Sequence, residues 1–163
     1  MTGAVDARPA AESERVEFVT FRVAGTQYAL EVGRVTQVTD SPPTTRVPHT
    51  PSTVRGVASV AGEVTVVVDA RAVLGIAGGT DGRLLVLDRG DRPQAVALAV
   101  DAVDGIDSYA VERIARPDPD DPDVVQAVVD RDGGPLQVLA VERIAATAGR
   151  TASTEDRDGD GDN

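Results

Sequence analysis

VEFVTFRVAGTQYALEVGRV, residues 16–35, and TTRVPHTPSTVRGVASVAGEVTVVVDARAVLG, residues 44–75, decide how the chain folds. In the first, Val19, Phe21 and Val23 alternate with polar positions. Tyr28, Leu30 and Val32 alternate back after Ala24-Gly25-Thr26-Gln27, which predicts two strands joined by a tight turn. In the second, Val64 to Val68 (VTVVV) is nearly all β-branched, as expected of a strand buried on both faces. Asp69 then offers an N-cap to a short helix over Ala70 to Leu74, and Gly75 ends it. Further on, Arg83 to Asp88 and Gln94 to Asp101 read as another antiparallel pair.

The chain also echoes itself. A shift of 71 residues lays VRGVASVAGEVTVVVDARAV (Val54 to Val73) over VQAVVDRDGGPLQVLAVERI (Val125 to Ile144) without a gap, Gly62 on Gly133 and Asp69 on Ala140. A shift of 68 lays Tyr28–Val35 over Val96–Val103. The order of hairpin, loop, glycine turn, buried strand and short helix therefore occurs twice. Modules of about five strands are marginal alone and gain by packing face to face around one shared core. The expected class is all-β with short helical turns.

Composition narrows the chemistry. The chain has 163 residues, 27 of them acidic and 16 basic, all of the latter Arg, for a net charge of −11. That field repels phosphate backbones and anionic membrane surfaces, so nucleic acid is not an expected partner. With no Lys, no Trp, two Phe and two Tyr, the composition resembles proteins of salt-loving archaea. At 1 M salt the Debye length is about 3 Å, and such acidity becomes tolerable. The longest apolar run, Ala95 to Val100, is far short of a membrane span, and the N-terminus carries acids, so a soluble, cytoplasmic protein is expected. Residues 1–14 and 147–163 are polar and are expected to be disordered tails around a folded 15–146.

No enzyme signature stands. There is no Cys, and His49, in the Pro-braced VPHTP loop, is the single histidine, so neither a metal triad nor a Ser-His-Asp relay can be assembled. Asp156 to Asp162 copies the opening of a calcium loop without its closing bidentate Glu. PDPDDPD (Pro117–Asp123) reads as a solvated acidic loop, and GIAGGTDG (Gly75–Gly82) as a flexible connection, since no Lys follows. No cofactor is expected.

Taken in order, the hairpin with Tyr28 and Val35, TRVPHTP (Thr45–Pro51), VRGVASVAG (Val54–Gly62), VVVDARAVLG (Val66–Gly75) and LAVDAVDGI (Leu98–Ile106) resemble a CheW-like chemotaxis coupling domain. The resemblance covers about four-fifths of the chain. It implies two small SH3-like five-stranded β-barrel subdomains sharing a core, near 15–80 and 81–146, with exchange of strands between them left open. It implies a non-enzymatic adaptor joining the cytoplasmic tip of chemoreceptors to the regulatory domain of the histidine kinase CheA, recruited to membrane-associated arrays without inserting in the membrane. The partner-binding residues it implies are Val35, Gln37, Val38, Arg46, Ser59, Val60, Ala61 and Glu63. Where the family usually reads GV-x-N-L-R-G, this chain has Ser59 for Asn and Ala61 for Arg, and its second module has Ala127 for Gly. A second reading is therefore a divergent paralogue that binds the kinase or other signalling proteins but not standard receptors.

Overall fold

The structure, a computed structural model, describes residues 14–80 and 82–148. Eleven strands dominate it: β1 (Arg15–Val23), β2 (Thr26–Glu31), β3 (Val35–Asp40), β4 (Val54–Val60), β5 (Glu63–Asp69), β6 (Arg83–Leu87), β7 (Ala95–Val100), β8 (Ala102–Ala110), β9 (Ile114–Ala115), β10 (Val125–Val129) and β11 (Leu136–Leu139). Helix α1 (Ala70–Leu74) follows β5, and α2 occupies 141–148. The Asp69 side chain accepts from the Arg71 N–H and Gly75 takes a left-handed conformation at φ 74°, so α1 starts and stops as its caps require.

The strands form two sheets, β8-β1-β2-β11-β10-β9 and β3-β6-β7-β5-β4. Each takes strands from both halves of the chain: β1 and β2 join β8 to β11, while β6 and β7 join β3 to β5. The parallel pairs, β2 with β11 and β5 with β7, are among these crossings. The sequence echo reappears here as hydrogen-bond register. Val54 opposes Val68 and Val125 opposes Leu139, a 71-residue shift on both strands, and each hairpin has a bulge at the next residue. Val66 opposes Val96 and Gln137 opposes Tyr28, which combines the 71- and 68-residue shifts. Even the helix approaches coincide, with Asp69 N–H on the Thr53 carbonyl at 2.8 Å and Ala140 N–H on the Val124 carbonyl at 2.7 Å.

Three apolar clusters follow from this arrangement. The largest joins Val19, Phe21 and Leu30 of one sheet to Val68, Leu85 and Leu98 of the other, with Ile144 and Ala148 of α2. Each sheet has a smaller cluster of its own: Phe18, Ala29, Val129, Leu136 and Val138 on one, Ala58, Val60, Val67, Leu84, Ala97 and Ala99 on the other. Fully burying a Leu or Phe side chain is worth about 1.5–3 kcal/mol, so the shared cluster is the main tie between sheets.

Several expectations need correction. The architecture is mostly β, in sheets of six and five strands, and neither strand order closes into the five-stranded barrel expected. The first hairpin is not one-sided, because Phe18, Thr20 and Ala29 are buried opposite Phe21 and Leu30. Val64 is 62% exposed although the rest of its strand from Thr65 is buried. The glycine-rich connection is anchored: Thr80 is fully buried, and a Cβ on Gly82 would lie 2.0 Å from the Asp101 carbonyl oxygen. Helix α2 runs past 146 through the buried Thr147 and Ala148. The rest of both expected tails, with the calcium-loop-like stretch, lies outside the described residues.

Candidate interaction surface

The eight residues singled out in the sequence fall into three places on the five-stranded sheet. The first is β3, an edge strand paired only with β6. A 3-10 turn over Val32–Arg34 delivers the chain to it, and Val35 packs half-buried against the shared core. Beyond a bulge between Val35 and Gln37, both Gln37 and Val38 are exposed. An edge strand presents unpaired backbone groups, which makes this a place where another chain can dock.

The second place is the tip of the β4–β5 hairpin, at the opposite edge of the same sheet with β6, β7 and β5 between. Val60 opposes Glu63, leaving a two-residue turn of Ala61 at φ 51° and Gly62 at φ 80°. Positive φ at both positions is the geometry of a type I′ turn, which favours Asn-Gly, so Ala61 sits at its first position under strain. Its side chain is exposed, as is Ser59. Glu63 pairs with Arg89 at 2.5 Å, both about half exposed, a contact worth about 0–1 kcal/mol. Val60 is 7% exposed and belongs to the sheet's own cluster, so it supports the tip from below and presents no contact face.

Arg46 occupies the third place, in the loop that leads into β4. That loop is held down at Thr45, which exchanges backbone hydrogen bonds with Val57 at 2.7 and 2.8 Å. Gly56 makes the approach possible, because a Cβ there would stand 2.3 Å from the Thr45 carbonyl oxygen. His49, at φ 64°, is exposed on the loop and makes no hydrogen bond or ion pair among the described residues. Beside Arg46 lies a polar cluster that the sequence did not disclose. Asp69, 8% exposed, accepts from Arg71 N–H, Thr80 N–H and Thr80 Oγ1 at 2.9, 3.1 and 3.0 Å, and from Arg55 at 3.3 Å. Thr80 Oγ1 also lies 3.0 Å from the Ala99 carbonyl oxygen, so its one proton is shared between that oxygen and the Asp69 carboxylate, and it accepts from Arg55 at 3.1 Å. Apart from the Arg71 N–H, which is the helix cap, Asp69, Arg55 and Thr80 stand 11 to 25 residues apart in the chain, and no local motif announces their meeting.

Val64 was missed for a different reason: a β-branched run reads as buried, and only the pairing shows that its first apolar member protrudes beside the hairpin tip. Among the described residues no three His, Asp or Glu side chains gather as a metal site, and no helix is long and apolar enough to cross a membrane. Burial pushes the Tyr28 phenol above its ordinary value, which keeps it neutral against Phe21 at a ring separation of 6.2 Å. The surface therefore offers strand edges, a hairpin tip and guanidinium groups, which suit recognition.

Residues 17–149 match the family described as the CheW-like domain. The chemotaxis protein CheW of Klebsiella aerogenes is 28% identical over 114 residues, 68% of this chain and 67% of that relative. The crystal structure of the scaffolding protein TtCheW from Thermoanaerobacter tengcongensis aligns with a TM-score of 0.70 at 23% identity, over 77% of this chain and 89% of that one, and shares its fold.

Proposed function

This chain belongs to the CheW-like domain family, and from that premise we propose that it is a cytoplasmic, non-enzymatic adaptor that couples chemoreceptors to the histidine kinase CheA. The observation that carries the reading is the family match across residues 17–149, which takes in both sheets. In this reading the two sheets, each with its own small cluster, are two SH3-like units left open, and the large cluster is the shared core. One unit meets the regulatory domain of the kinase, while β3 and the β4–β5 tip, with Gln37, Val38, Ser59, Ala61 and Glu63, face the receptor tip. Backbone pairing at strand edges supplies orientation, and exposed valines supply affinity. The acidity is read as adaptation to molar salt.

Ala61 favours a second reading, a paralogue that binds the kinase without standard receptors. A family Arg at this turn would hold up to five donors at the most projecting point of the hairpin, and Ala61 holds none. Titration in molar KCl with the CheA regulatory domain and, separately, a receptor-tip fragment decides between the two. Binding to both supports coupling; binding to the kinase domain alone supports the paralogue; binding to neither sinks both.

A further inference from the structure

Between the loop that carries Arg46 and the start of β4 and end of β5 lies a cleft of about 360 Å³, lined by Arg46, Thr50, Pro51, Val54, Arg55 and Asp69 among others. In a chain with 27 acidic residues against 16 arginines, most guanidinium groups have a partner, yet Arg46 is exposed and makes no ion pair or hydrogen bond among the described residues. Arg55 is held in place, since one terminal nitrogen donates both to Asp69 and to Thr80 Oγ1. A guanidinium carries five N–H groups, so Arg55 keeps donors in reserve beyond those two bonds. The loop itself is fixed by the Thr45–Val57 bridge and by the Thr50 hydroxyl, which donates to the Val47 carbonyl at 2.9 Å.

We propose that this cleft receives the carboxylate of a single Glu or Asp side chain from a protein partner, clasped between Arg46 and Arg55. The charges decide the ligand class. Arg46 and Arg55 against Asp69 leave one net positive charge in the lining, which one carboxylate neutralises and a phosphate dianion would overshoot beside the Asp69 carboxylate. Pro51 and Val54 supply an apolar wall for the methylene stem of the incoming side chain. In a chain of net charge −11 the lining is locally positive, so it selects orientation: a partner docks with one acid placed here.

The inference rests on the adaptor reading for the identity of the partner, and the test separates the two. On the full chain, the arginine Nε–Hε resonances are followed by NMR during titration with N-acetyl-glutamate amide, N-acetyl-glutamine amide and inorganic phosphate. Arg46 and Arg55 should shift saturably with the glutamate probe, more weakly with phosphate and not with the glutamine probe, and Arg46→Gln should weaken the response about tenfold. No shift, tighter phosphate binding, or an unchanged response in Arg46→Gln overturns the site. In the second arm Arg46→Gln should lower affinity for the CheA regulatory domain or the receptor-tip fragment about tenfold, while Arg116→Gln, exposed and outside the cleft, leaves it unchanged. Equal binding of the Arg46→Gln and parent chains to both partners overturns the assignment. If the parent chain binds neither partner, the adaptor reading fails and the glutamate titration alone decides the cleft.

Discussion

The β4–β5 and β10–β11 hairpins share one register, one bulge and one helix approach, and each is met from outside, by the Thr45 loop and by β9, yet only the first needs a glycine to admit its neighbour. Gly56 lets the Thr45 backbone close on β4, and Asp69 gathers Arg55, Arg71 and Thr80 around the entry to α1. At the matching positions the second hairpin has Ala127 and Ala140. Its neighbour β9 pairs with Val128 and Val129 through Ala115 and Ile114, so the strand meets β10 without demanding a glycine at 127. Ala140 starts α2 with its carbonyl accepting from Arg143 and Ile144, each at 3.1 Å, and without a side-chain cap. The difference teaches that a repeated backbone needs only β-branched strands and a bulge. The glycine in β4 seats the loop that carries Arg46 and the aspartate at the end of β5 holds Arg55 beside it, so both serve the half in which the candidate interaction surface is concentrated.

The largest break in this comparison should come from Gly56→Ala. With a Cβ set 2.3 Å from a backbone oxygen, either β4 or the loop must move, costing about 2–4 kcal/mol by denaturant unfolding in molar KCl. Ala127→Gly should cost about 1 kcal/mol or less. An equal effect of the two would refute the claim that only the first hairpin depends on a glycine at this position.

Asp69→Ala comes next, at about 3 kcal/mol, because it removes a cap, leaves the buried Thr80 N–H without its acceptor and takes the carboxylate from Arg55. Ala140→Asp puts a cap at the matching position, but the residue is 5% exposed and Gln126 stands where the first hairpin has Arg55. Cap gain and burial cost should then offset to within about 1 kcal/mol. Ala61→Asn should stabilise by about 0.5–1 kcal/mol, since Asn suits the positive φ of the turn and Ala does not. The matched loop, from 130 to 135, offers no equivalent gain because Gly133 and Gly134 already hold its positive φ positions.

The smallest effect is confined to alkaline pH. Tyr28 titrates above its ordinary value of 10.0 because burial disfavours the phenolate. A folded-state value raised above the unfolded one means stability that is full below about pH 10 and lost as pH rises through the folded value. Tyr28→Phe should flatten that alkaline decline and leave the neutral region unaffected by ionisation.

Much of the fold was legible because period-two alternation and the Asp69 and Gly75 caps are local signals, and because the 71- and 68-residue shifts carry strand register directly. What was not legible is long-range. The β3 segment, VTQVTD, lacks regular alternation, and nothing in it says that the strand leaves β2's sheet to pair with β6. Val60 and Val64 look alike in the sequence, and only the turn between them buries one and exposes the other. The cluster of Asp69 with Arg55 and Thr80 depends on loops closing over 11 to 25 residues, so the carboxylate read as a helix cap was also the anchor of the Arg46 cleft. Arg46 itself was found by resemblance, and its unpaired state only by structure.

An adaptor must bind at both ends, and calorimetric titration of the full chain in molar KCl with the CheA regulatory domain and with a receptor-tip fragment measures both. Saturable one-to-one binding to each is expected; heat of dilution alone with each partner would rule the adaptor out.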